Sequence, residues 1–197
     1  MRRLSLVVPA VLAALVLPAQ AAPSVSHEKG VMASFTVVTA QGKSVVDVLA
    51  STPTAGGAAR LRVRVTPEGS STVRRLYGEL PAGALTTGKG TTSLSTRIGG
   101  LALRITWRDA PYTLASSLGD SSGDDTDAAG WTITGISADT QVVLGGVRCG
   151  AATFAAVGDA VAYDTAGFGA PLARGLGITT KRLRCYGETS SFPPPLP

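Results

Sequence analysis

ARLRVRV, residues 59–65, alternates apolar and cationic side chains without a break. In an extended chain successive side chains point to opposite faces. Leu61, Val63 and Val65 therefore share one side, and Arg60, Arg62 and Arg64 share the other. This is the pattern of a strand that covers a core with one face and meets solvent with the other. Downstream, Thr66-Pro67-Glu68-Gly69 has Pro and Gly where a type I turn accepts them, and residues 72–80 read as the returning strand. Upstream, β-branched residues dominate 34–39 (SFTVVT) and 44–49 (SVVDVL), which read as a hairpin around 40–43, with 52–57 (TPTAGG) as a loop.

The same reading extends along the chain. Residues 93–98 and 101–107 flank Gly99-Gly100, a pair suited to the positive φ of a tight hairpin. In the second arm Leu101, Leu103, Ile105 and Trp107 point one way, and Ala102, Arg104, Thr106 and Arg108 the other. Further strands are expected at 131–137, 141–149, 151–157, 160–163 and 179–186. Residues 81–90 are turn-rich, 112–118 fit either a strand or a short helix, and 119–130 read as an acidic, glycine-bearing loop. No run keeps helical periodicity over ten or more residues. The predicted fold class is all-β, a single-domain antiparallel β-sandwich of jelly-roll or immunoglobulin-like type.

The first residues carry a different signal. Arg2 and Arg3 precede an apolar stretch from 4 to 17, Pro18 interrupts it, and Ala19-Gln20-Ala21 ends it with small residues. A charged start, a short apolar centre and an A-x-A end predict a secretory signal peptide over 1–21, with little or no helix expected outside it. The sandwich is then expected over 22–189, with a Pro-rich flexible tail over 190–197. Localisation follows as secreted or extracellular, with no transmembrane segment in the mature chain.

Composition narrows the function. Fourteen Arg against four Lys, 24 Gly and no Asn match the coding bias of a GC-rich bacterium. The formal net charge of +5 falls to about +3 without Arg2 and Arg3, too mild for a nucleic-acid binder, so none is expected as a partner. Cys149 and Cys185 are the only cysteines, and in an exported chain an even pair predicts a disulfide. Closing a loop of about 37 residues is worth ~4 kcal/mol in the chain-entropy model.

Few chemistries survive. The single histidine, His27, falls just after the expected cleavage point in a segment read as mobile, and no G-x-S-x-G elbow exists to receive it. Phosphate-loop and dinucleotide motifs are missing. Asp120, Asp124, Asp125 and Asp127 lie within eight residues, and their mutual repulsion would be relieved by calcium, although the order is not that of an EF-hand. No other cofactor is expected. Arg60, Arg62 and Arg64, ~7 Å apart on one strand face, suit a polyanion such as teichoic acid or phospholipid headgroups, with Arg104 and Arg108 extending the ladder if their strand lies alongside.

The reading is a secreted bacterial non-enzymatic β-sandwich with a binding or structural role at the cell envelope or outside the cell. Its expected partner is an anionic envelope polymer or a surface protein. The alternative is a carboxylate-dependent, glycosidase-like extracellular hydrolase, with Asp159 and Asp164 beside Tyr163 as candidate acids and Trp107 or Trp131 framing a cleft.

Overall fold

A computed structural model describes residues 26–108, 116–118, 130–136, 140–151, 154–162 and 170–186 of the chain. Its strands are β1 (Ser26–Thr39), β2 (Gly42–Pro53), β3 (Arg60–Pro67), β4 (Arg74–Glu79), β5 (Leu85–Gly88), β6 (Thr91–Ile98), β7 (Leu101–Arg108), β8 (Ser116–Leu118), β9 (Gly130–Ile136), β10 (Thr140–Leu144), β11 (Val147–Ala151), β12 (Phe154–Ala162), β13 (Ala170–Pro171) and β14 (Arg184–Tyr186). One 3-10 turn, Leu172–Arg174, is the only helical element among the described residues. The all-β sandwich expected from the alternation is the fold.

Among the described residues the larger sheet has nine strands. A meander of β1 to β4 forms half of it, and β12, β9 and β8 follow beyond β1. β13 pairs in parallel with β4 at the far edge. The smaller sheet runs β11-β10-β7-β6-β5. β1 is longer than any single neighbour on its second edge. β12 pairs residues 26–34 there and β14 pairs Thr36, Val37 and Val38, so two strands from distant parts of the chain share one edge.

Register places apolar side chains in rows. Ala33 stands beside Val48, which stands beside Val63, which stands beside Leu76, and all four are buried. From the smaller sheet Leu94, Ile98, Leu103, Ile105, Trp107, Val142 and Leu144 meet these rows in one cluster. Removing such side chains from water is the main favourable contribution to folding. Trp107 is 1% exposed, and its Nε1–H donates across the sandwich to the Met32 carbonyl at 2.9 Å. Cys149 on β11 and Cys185 on β14 are joined, so the expected disulfide ties the smaller sheet to the larger.

Several local expectations shift. The turn after β3 closes through Ser70 N–H to the Pro67 carbonyl at 3.1 Å, one residue later than the type I reading. Of 151–157 and 160–163, read as two strands, residues 154–157 and 160–162 belong to the single strand β12. It follows the long template of β1 and absorbs Gly158-Asp159 through a register shift against β9. Only Arg184–Tyr186 of the expected strand 179–186 is extended, because Leu183 N–H bonds to the Thr180 carbonyl at 3.2 Å and makes a turn. The turn-rich 81–90 contains β5, ordered by pairing with β6. His27, expected in a mobile segment, lies within β1 opposite Val161. The expected signal peptide, the four aspartates at 120–127, Asp164 and the tail over 190–197 lie outside the described residues.

The Gly99-Gly100 hairpin forms as expected, with Ile98 opposite Leu101 and Gly99 at φ 61°. Glycine is needed there for a second reason. A Cβ on Gly99 would come within 2.7 Å of the Gly175 backbone, which packs against the turn.

Candidate functional site

Arg60, Arg62 and Arg64 project from the outer face of the larger sheet, opposite to Leu61, Val63 and Val65, which are buried. Neighbouring strands supply their surroundings. Arg60 lies between Ser51 and Glu79, Arg62 between Leu49 and Tyr77, and Arg64 between Asp47 and Arg75. Arg75 thus joins the ladder from β4. Arg104 and Arg108 do not, because β7 belongs to the other sheet and faces the opposite side of the molecule.

The centre of this face is a carboxylate that the strand pattern did not reveal. Glu28, on β1, is completely buried. Its Oε2 accepts from Arg62 Nη1 at 2.9 Å and from the Ser51 hydroxyl, and its Oε1 accepts from Arg60 Nη1 at 3.1 Å and Arg62 Nη2 at 3.3 Å. Arg62 therefore grips it with both terminal nitrogens, the fork geometry that favours guanidinium over ammonium. Glu28 reaches β3 across β2 because the positions between them are small. Gly30 pairs with Ser51, and a Cβ on Gly30 would sit 2.5 Å from the Ala50 carbonyl oxygen.

Burial pushes the Glu28 carboxyl pKa up. Hydrogen bonds from Arg62 and Ser51, with the charges of Arg62 and Arg60, outweigh this and hold it below the ordinary value of 4.5. The ladder is accordingly part structure and part surface. Arg62 is 10% exposed and Arg60 39%, both committed to Glu28, whereas Arg64 is exposed. Arg60, Arg62, Tyr77 and Glu79 line a shallow hollow of about 200 Å³. The Arg62 Nε–H is buried with no acceptor among the described residues. Beside Arg64, Asp47 accepts from the Ser34 hydroxyl at 2.7 Å.

Of the residues named for hydrolysis, only Trp107 has a described side chain. Trp107 fills the core instead of framing a cleft, Asp159 lies on β12 opposite Lys29, and Asp164 is outside the described residues. No group of three or more His, Cys, Asp or Glu side chains able to hold a metal occurs among the described residues. No described helix is long and apolar enough to cross a membrane. No family model matches the chain, and no curated protein or solved structure shows significant similarity to it.

Signals for the missed parts existed. Val31, Ala33, Phe35 and Val37 alternate with Met32, Ser34 and Thr36, which carries the strand back beyond 34 and puts Glu28 on the outer face. Nothing local says that a carboxylate two strands away from Arg62 will be buried beneath it.

Proposed function

We propose that this chain is an exported bacterial β-sandwich without catalytic activity, which binds an anionic polymer of the cell envelope. The observation that supports this reading is the placement of Arg60, Arg62, Arg64 and Arg75 on adjacent strands of one outward face. Glu28 holds two of these side chains in place, which removes part of the ordering entropy a binding event would otherwise oppose. It also neutralises charge, and Asp47 and Glu79 stand on the same face, so Arg64 and Arg75 are the cations nearest the open part of the ladder.

The test follows from that division. Replacing Arg60 or Arg62 would strand a buried carboxylate, so Arg64→Gln with Arg75→Gln is the informative pair. Binding of the purified protein to a poly(glycerol phosphate) chain, followed by anisotropy across a salt series, should weaken severalfold in this variant. The slope of log affinity against log salt should become shallower by roughly one per lost contact. Unchanged affinity and slope would remove the face from the binding surface.

A further inference from the structure

A second surface carries more charge than the arginine face. Residues 170–186 contain Arg174, Lys181, Arg182 and Arg184 and no Asp or Glu. All four are exposed, and the segment wraps one end of the sandwich. Other elements bring further cations to the same end. Lys43 and Arg184 flank Val38 from its two neighbouring strands, on one face and about two strand spacings (~10 Å) apart. The Arg74 guanidinium lies against Gly177 and donates to the Arg174 carbonyl at 3.5 Å. Arg97 donates to the Gly100 carbonyl at 3.4 Å. Among the described residues Glu68, 3.4 Å from Lys43, is the one acid that lines either hollow here.

The end is also shaped. Leu176, Gly177 and Ile178 form a rib between two open hollows. One, of about 500 Å³, is lined by Arg174, Thr179, Thr180 and Lys181 together with the Gly99-Gly100 hairpin. The other, of about 430 Å³, is lined by Lys43, Glu68 and Arg74. Arg182 sits at φ 60° in the turn that Leu183 N–H closes onto Thr180, a left-handed position that glycine fills with less strain. Strain retained at an exposed cation is the kind that function keeps.

We infer that this cationic end is a docking surface for a linear phosphodiester polymer. Cations spread over four strands and two turns need a ligand with charges in succession, which a single small anion lacks. Guanidinium forks and the Thr179 and Thr180 hydroxyls donate to phosphate oxygens in several directions, and the hollows on either side of the rib receive successive units. The surface uses none of the residues of the arginine face, so each can fail alone, although the choice of an envelope polymer rests on the function proposed above.

The experiment uses the full chain and three probes: poly(glycerol phosphate), phosphatidylglycerol vesicles, which present the same headgroup on a membrane, and poly-glutamate. Arg174→Gln with Lys181→Gln should lower affinity for poly(glycerol phosphate) at least tenfold and flatten its salt slope by about two, a larger loss than the severalfold one expected of Arg64→Gln with Arg75→Gln. Arg182→Gly provides the fold control. It relaxes the turn, so the melting temperature should hold or rise while binding weakens. Unchanged binding in both end variants overturns the proposal, as does tighter binding to the vesicles or to poly-glutamate. Loss confined to the Arg64/Arg75 variant overturns it too, and leaves the proposed function standing.

Discussion

Glu28 shows how one residue can convert a surface motif into a structural one. Three arginines at alternate positions read as a solvent-facing ladder, and alternation correctly gives their side of the sheet. It does not give the pairing of two of them with a buried carboxylate more than thirty residues away. The consequence for stability has a definite sign. Above about pH 4.5 the carboxyl is ionised in both folded and unfolded chains, and its native interactions contribute in full. As pH falls below that value the unfolded chain takes up the proton first. Stability then declines until the pH passes the lowered native pKa. Glu28→Gln should remove on the order of 2–3 kcal/mol at neutral pH, because the arginines lose a charged acceptor. Its urea midpoint should also lose the part of the acid dependence that Glu28 supplies. Wild-type and variant curves that stay parallel from pH 6 to pH 3 would show that Glu28 is not the titrating contact. Gly30 belongs to the same argument. Its lack of a side chain is plain in the sequence, but the reason for it needs the neighbouring strand.

Among the elements, legibility followed hydrogen-bonding context. β3 and β7 were readable because each has one buried and one solvated face, so their patterns alternate cleanly. β5 was not, since pairing with β6 gives it extended structure that its own composition leaves open, and β12 was read as two strands because its continuity comes from pairing with β1. β14 is the extreme case. Three residues long, it is held by a short pairing with β1 and by the bond from Cys185 to Cys149. The cysteine pair was legible on the expectation of export; its role as a tie between two sheets was not. Replacing both cysteines with serine should lower stability by ~4 kcal/mol in the chain-entropy model. The loss should be local as well as global. Those amide hydrogens of Thr36 to Val38 that point toward β14 should exchange faster, while those of β1 paired with β12 stay protected. Uniform acceleration along β1 would mean that β14 adds nothing of its own.

For the molecule as a whole, the sandwich and its outward charges follow from alternation, whereas the gathering of cations at one end follows from topology. Lys43, Arg74, Arg97 and Arg184 come from four different strands, and no window of sequence contains them together. The same topology makes most contacts non-local, since β12, β13 and β14 close onto β1 and β4 from the far part of the chain. Refolding of the disulfide-intact protein followed by Trp fluorescence should therefore take milliseconds to seconds, the range of sandwiches rich in distant pairings. A microsecond relaxation would contradict this arrangement. The shared second edge of β1 has a consequence for synthesis. The four-stranded meander is complete once residue 79 has emerged, yet the covering for that edge, residues 154–162 and 184–186, comes last. Until then the nascent chain displays a long unpaired strand, open to the wrong partner, including the same strand of another copy. The strands at 154–162 and 184–186 thus shield an edge that the meander leaves open, and a chain interrupted before them is expected to aggregate.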